Sequence, residues 1–449
     1  MANAGVWNGQ TKVRPGAYIN FKAVRGANIA NSDRGVVALP LALGWGDASV
    51  IEVSASEIAD GTFTKKTACE IADPSVQPLI EAMKYASSAL IYPLTSGGLK
   101  AKCIIGESTG ALTCTAKYAG TKGNNLVVAI NNTGIDGVFE VVTILGTSTK
   151  DRQTAKTIGE LKANDFVEFS GSAKGKLSAN AGTALTGGTD GAITAASMAN
   201  FLGAIKTKKW NAVGIPLNGL DGNTINATII PYINSLRDGG KKVVAVVNNY
   251  PSADNEGIIS VDQGYRTENE EVGVDAFVGA VAGMCAGTPI NQSNTYRVIT
   301  GALEIINPKT DEEIEAGLMS GCFMLSYRQD EAVVVESDIN TLVNVGTDKS
   351  DAFKKNRIIR TLDDIANTIR ATFENNYIGK VNRNEAGKNA FKAAVIKYFT
   401  SLQNMEAIQN FTSEDVEVLD GESIDSIVCN VAVQPLDSME KLYMTVSVD

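Results

Sequence analysis

NATIIPYINSLRDGGKKVVAVVNN, from Asn226 to Asn249, decides the fold class. The part ending at the glycine pair Gly239–Gly240 reads as a helix, because glycine just past the last turn closes a helix at little steric cost. KKVVAVVNN (Lys241–Asn249) then reads as a buried strand. The same alternation extends to both sides. SMANFLGAIKTKKW (Ser197–Trp210) suggests a helix and AVGIPL (Ala212–Leu217) follows it. VDAFVGAVAGMCAG (Val274–Gly287) reads as a helix of small residues packed closely on a neighbour. Farther upstream, GVVALPLAL (Gly35–Leu43) reads as a strand. PSVQPLIEAMKYAS (Pro74–Ser87) carries Leu79, Ile80, Met83 and Ala86 at helical spacing. Strand–helix alternation implies a partly parallel sheet covered by helices.

The texture changes between residues 96 and 191, where Gly, Thr, Ser and Asn abound. Short alternating runs recur there: KAKCII (Lys100–Ile105), LTCTAKYAG (Leu112–Gly120), NLVVAI (Asn125–Ile130) and VFEVVTI (Val138–Ile144). They read as a separate β-domain inserted into the first. Near the end, DAFKKNRIIRTLDDIANTIRATFENNYIG (Asp351–Gly379) places Ile358, Leu362, Ile365, Ile369 and Phe373 on one helical stripe. EAGKNAFKAAVIKYFTSLQNM (Glu385–Met405) groups Phe391, Val395, Phe399 and Leu402. Lys388 and Lys392 lie beside that group, and Lys397 projects nearly opposite. The fold class is therefore α/β (α+β) and multi-domain: a mixed-sheet core covered by helices, an inserted β-rich domain and extended N- and C-terminal β-arms. The segments are an N-terminal arm (1–32), a first stretch of the core domain (33–95), the insertion (96–191), a second stretch of the core domain (192–345), its C-terminal helical region (346–420) and a C-terminal arm (421–449).

Both arms read as strands. In the first, Ile19 and Phe21 alternate with Tyr18, Asn20 and Lys22. In the second, Ile427, Cys429, Val431 and Val433 alternate, QPLDSMEK interrupts, and Leu442, Met444, Val446 and Val448 alternate again to the last residue. A strand at the very end of a chain needs a neighbour. Residues 1–32 carry Lys12, Arg14, Lys22 and Arg25 and no acid, whereas residues 412–449 carry nine acids, Asp437 and Glu440 among them, against Lys441. Opposite charge would favour pairing of the two arms, contributing to partner choice more than to affinity. They can pair within one subunit, closing an ordinary sheet, or between subunits by strand addition. Head-to-tail pairing between subunits builds rings or helical arrays.

Composition excludes several functions. The formal net charge of −10 argues against nucleic acid and against an anionic membrane surface as partner. The N-terminus has no signal-type apolar core, and the longest apolar stretch, Ala276–Gly287, is too short to span a bilayer, so synthesis and folding in the cytoplasm are expected. Six scattered cysteines without a CxxC fit a reducing compartment. The chain has no histidine, which removes Ser-His-Asp triads and histidine-ligated metal sites. GESTG (Gly106–Gly110) matches a nucleophile elbow, but Ser108 then lacks its base and reads as a turn. GGTDG (Gly187–Gly191) follows no apolar strand, DEEIE (Asp311–Glu315) reads as a helix start, and NNTGIDG (Asn131–Gly137) as a turn. No catalytic, cofactor-binding or metal residues are assigned and no cofactor is expected.

Taken in order along the chain, several segments resemble the tail sheath proteins of contractile bacteriophages and R-type, phage-tail-like bacteriocins: RPGAYINF (Arg14–Phe21), AKYAGTKGNNLVVAI (Ala116–Ile130), VDAFVGAVAGMCAGTPINQSNTYRVITGA (Val274–Ala302) and INTLVNVGTDKSDAFKKNRIIRTLDDIANTIRATFENNYIGKVNRNEAG (Ile339–Gly387). The resemblance implies a non-enzymatic subunit that stacks in rings into a helical sheath around an inner tail tube, with a baseplate and a tail terminator at its ends. It implies arms that add strands to neighbouring subunits, an outward-facing insertion, and a tube-facing helix carrying Lys388, Lys392 and Lys397. Two alternatives stay open: a carboxylate-based hydrolase, which needs paired acids in a cleft, and another self-assembling shell protein.

Overall fold

The computed structural model describes residues 34–107, 110–347 and 349–447. The expectations on Lys12, Arg14, Tyr18, Ile19, Asn20, Phe21, Lys22 and Arg25, and on Ser108 and Val448, lie outside those residues. The described chain forms two compact units, one of residues 34–367 and 435–447 and one of Thr368–Gln434.

The first unit is built on a six-stranded sheet. Its strands are β1 (Val36–Leu41), β2 (Ile51–Ser54), β3 (Ser88–Pro93), β4 (Ala212–Ile215), β5 (Val244–Asn248) and β6 (Ile258–Val261), in the order β6-β5-β4-β1-β3-β2. Only edge strand β2 is antiparallel. A largely parallel sheet needs cover on both faces, which is why β4 is buried at every position. Helices α1 (Gln77–Met83) and α4 (Val274–Gly287) cover one face, packing Leu79, Ala82, Phe277 and Val281 on Val37, Leu39 and Ile91. Helices α2 (Ala195–Ile205) and α3 (Gly222–Asp238) cover the other, packing Met198, Phe201, Ile225 and Ile229 on Ala38, Leu90 and Val213.

Local chemistry sets the boundaries of these helices. Asp221 caps α3 by accepting from the Thr224 amide at 2.9 Å, and Gly239 ends the helix. The small residues of α4 permit a close crossing with α1. A Cβ added at Gly279, Gly283 or Gly287 would fall 2.1, 2.2 or 1.9 Å from the backbone oxygens of Pro78, Ala82 and Tyr85. The close packing expected for this helix is thus achieved against α1. DEEIE opens a helix (Asp311–Met319), with Thr310 and Glu313 forming a capping box.

The insertion leaves and rejoins the core through a narrow neck. Leu99 bridges Thr189 and Lys102 bridges Thr186, both antiparallel. Beyond the neck a four-stranded sheet (Asn180–Ala184, Leu126–Asn132, Phe139–Leu145, Ser148–Ala155) and a three-stranded sheet (Lys102–Ile105, Leu112–Ala116, Val167–Ser170) share one core, including Leu112, Val128, Val141 and Phe166. NNTGIDG lies in the turn between Leu126–Asn132 and Phe139–Leu145.

Helix α5 (Asn356–Asn376) departs from its sequence pattern. Of the apolar stripe, Ile358 is buried but Leu362, Ile365, Ile369 and Phe373 are only half-buried, whereas Arg357, Arg360, Asp363, Asp364, Thr368 and Thr372 are buried. Partners distant in sequence account for much of this. Arg360 pairs with Asp338 at 3.1 Å, and Asp363 receives both ends of the Arg237 guanidinium at 2.7 and 3.0 Å. A charged side chain is buried only where such partners wait for it.

In the unit Thr368–Gln434, helix α6 (Glu385–Asn404) buries Phe391, Val395, Tyr398, Phe399 and Leu402. Phe391 meets Phe373 and Tyr377 edge-on, with ring centres 5.4 and 5.0 Å apart. An antiparallel hairpin of β7 (Val416–Asp420) and β8 (Ile427–Val431) completes the unit.

Candidate subunit interface

Two features of this chain are unfinished as they stand. The first is the C-terminal segment. Among its described residues, Leu442, Met444 and Val446 are 83, 73 and 71% exposed, and Tyr443 is 90% exposed. None of residues 441–447 belongs to a strand. The alternation expected of a strand is there, but no ladder accompanies it within the described chain.

The segment is held just before it becomes bare. Glu440 accepts a hydrogen bond from Thr295 Oγ1 at 2.9 Å and pairs with Lys355. Thr295 Oγ1 in turn accepts from the Asp338 amide at 2.9 Å. The Asp338 carboxylate receives the Asn294 amide at 2.9 Å, Asn356 Nδ2 at 2.9 Å and Arg360. Glu440, assigned from its charge to the N-terminal arm, therefore has a partner in its own unit. Asp437 is exposed and accepts from the Ser438 amide at 2.9 Å.

The second unfinished feature is the β7–β8 hairpin. Among the described residues neither of its edges carries a third strand. Two-stranded ribbons are marginal alone, and open edges invite another chain. Val428 and Leu419 are each 44% exposed and Ile424 is 88% exposed. Next to the hairpin lies a cleft of about 470 Å³ lined by Phe373, Tyr377, Val381, Phe391, Ile424 and Ile427.

The lysines expected on a tube-facing surface divide. Lys388 is tied to Glu385 at 2.6 Å and to Asp420 of β7 at 3.0 Å, and these hydrogen bonds, Glu385 first, hold its ammonium above the ordinary value. Arg383 joins the same carboxylate at 2.9 Å and donates to the Ser426 carbonyl at 2.8 Å. Lys388 thus fastens the hairpin to α6. Lys392 is half-buried and Lys397 is exposed. Sequence reasoning missed Thr295, Asp338, Lys355 and Arg383. Glu440 lies 145 and 85 residues from the Thr295 and Lys355 that hold it, and no local pattern marks such pairs.

Burial pushes the Cys69 thiol up to about 11 and the Cys285 thiol up to about 12, away from the thiolate a nucleophile needs. Among the described residues no helix is long and apolar enough to cross a membrane.

Comparison with known proteins defines the class. The phage tail sheath protein beta-sandwich domain matches residues 96–190, the phage tail sheath protein central domain residues 191–341, and the phage tail sheath C-terminal domain residues 348–449. The chain belongs to the phage tail sheath protein family, a family of structural proteins. The phage-like element PBSX protein XkdK of Bacillus subtilis is 36% identical over 100% of both chains. The crystal structure of a sheath tail protein from Desulfitobacterium hafniense superposes with a TM-score of 0.82 at 34% identity, over 96% of this chain and 99% of that one. The contracted helical sheath of the anti-feeding prophage shares the fold alone, with a TM-score of 0.57 at 11% identity over 98% of this chain and 100% of that one.

Proposed function

We propose that this protein polymerises into stacked rings around a tail tube, and that each subunit adds its terminal strands to sheets of neighbouring copies. The observation that carries this reading is the bare, alternating segment Leu442–Val446 in a chain whose β7–β8 hairpin has two open edges among the described residues. Each feature supplies what the other lacks: apolar side chains on one face of an extended strand, and unpaired backbone groups beside apolar surface. The acids of β7, the hairpin and its flank (Glu414, Asp415, Glu417, Glu422 and Asp425) suit the basic N-terminal arm as the other added strand.

Strand exchange fits a machine that contracts. Subunits can rotate and slide while covalently continuous arms keep them joined, and the globular faces exchange weaker contacts for better ones. The extended sheath is then a kinetically held state whose relaxation drives the tube outward, with no nucleotide consumed. The tube protein, a baseplate and a terminator are its partners, and the particle works after release from the cell that made it. On this reading the insertion faces outward and α6 faces the tube, presenting Lys392 and Lys397 toward it.

Negative-stain electron microscopy of the purified chain tests this reading. Full-length protein is expected to form tubes or rings. Deleting Leu442–Asp449 is expected to leave a folded monomer that does not polymerise. Tubes of undiminished length from the truncated chain would overturn the reading.

A further inference from the structure

The geometry points to the Lys355–Glu440–Thr295 cluster as the pivot of the C-terminal arm: a positioning device that fixes where the arm leaves its own subunit and leaves Lys441 as the only slack. Three observations converge. Among the described residues Glu440 is the last held by a side-chain hydrogen bond or ion pair, from Lys355 and from Thr295 Oγ1 at 2.9 Å. The site beneath it is rigid, because Thr295 Oγ1 also accepts the Asp338 amide at 2.9 Å while the Asp338 side chain is 1% exposed and paired with Arg360. Glu440 is a single held position in an exposed segment: its side chain is 16% exposed, whereas Met439 before it is fully exposed and Leu442, two residues on, is 83% exposed.

Two consequences follow. The strand Leu442–Val448 spans roughly 23 Å at about 3.3 Å per residue, so the sheet that accepts it must lie within that distance of the cluster. The alternating strand also starts at Leu442, immediately after Lys441. Neighbouring subunits therefore rotate about one peptide unit and do not draw apart on a loose tether. The clustered residues act through the arm without themselves belonging to the exchanged strand. This second consequence rests on the strand exchange proposed above; the pivot within one chain does not.

Lys441 makes the pivot measurable. It is the one Lys or Arg between residues 412 and 449, so trypsin releases Leu442–Asp449 as a single peptide that mass spectrometry counts. Cleavage requires the chain around Lys441 to detach from the body. In dilute, unassembled full-length protein, Lys355→Met and Glu440→Gln are each expected to speed release about fivefold, with each rate normalised to that of the unfolded variant. The double variant is also expected to show about fivefold, not about twenty-five-fold, because both substitutions remove one interaction. Unchanged release in either single variant, or multiplicative acceleration in the double, would overturn the assignment. In assembled material, the double variant is expected to form tubes of heterogeneous pitch. Uniform wild-type tubes from it, alongside accelerated release, would overturn the one-residue slack. Failure of strand exchange itself would show separately, as wild-type protein that forms no tubes.

Discussion

Arg360 and Asp338 meet at 3.1 Å with side chains only 3 and 1% exposed, joining helix α5 to the segment that leads into it. The same carboxylate receives the Asn294 amide and the Asn356 side chain, each at 2.9 Å, and the Asp338 backbone orients Thr295 toward Glu440. One buried acid thus organises both the root of α5 and the anchor of the arm. Asp338→Ala is expected to destabilise the protein by about 3–5 kcal/mol, because it leaves a buried guanidinium without its charge partner. Urea unfolding monitored by circular dichroism measures this; a loss below about 1 kcal/mol would mean that Arg360 finds another partner or water.

The aromatic cluster of the second unit is a packing element. Phe391 is 3% exposed and touches Phe373 and Tyr377. Phe391→Ala is expected to cost about 3–5 kcal/mol. The loss should appear in unfolding of the segment Thr368–Gln434, read by hydrogen exchange of α6 amides.

At the neck of the insertion, a Cβ on Gly98 would lie 1.7 Å from the Thr189 carbonyl oxygen and 2.8 Å from the Asp190 carbonyl carbon. Both are backbone atoms, so the strand pair must separate to admit a methyl group. Gly98→Ala is expected to cost about 1–3 kcal/mol. Thermal unfolding followed by proteolysis checks it: cleavage within 96–190 should begin at lower temperature than in wild type.

Acid should destabilise the first unit in a defined window. Backbone hydrogen bonds from Asn344 and Val343 hold the Asp254 carboxyl below its ordinary value; burial alone would raise Glu256, but Lys349, its own backbone amide and Arg237 together lower it. Groups lowered on folding contribute stability above their unfolded values, near 4, and lose it as pH falls through the folded ones. Stability should hold from pH 8 to 6, since the chain has no histidine to titrate there, and should fall below about pH 4.5. In Asp254→Asn that fall should be shallower. Equal slopes in urea titrations of the two proteins would remove Asp254 from the account.

The layered core was legible in the sequence because its signals are local. The buried run Lys241–Asn249, the glycine stop before it and the small residues of Val274–Gly287 each dictate their structure without reference to distant residues. Helix α5 shows where that ends. Its apolar stripe pointed to one buried face, yet the partners that draw Arg360 and Asp363 inward are 22 and 126 residues away in sequence. Charge counting likewise did not show that Lys355, 85 residues back, holds Glu440. Lys388, which helical spacing sets beside the apolar stripe and the family resemblance turns toward the tube, is drawn to Asp420 by a turn in the chain that spacing does not reveal.

Cryo-electron microscopy of the assembled sheath, with the backbone traced from Glu440 to Asp449, examines the central claim most directly. The account predicts that the chain stays seated on Lys355 and Thr295, turns at Lys441, and crosses to a neighbouring copy where Leu442–Val448 forms a ladder with that copy's sheet. Density in which those residues fold back and pair within their own subunit would contradict it.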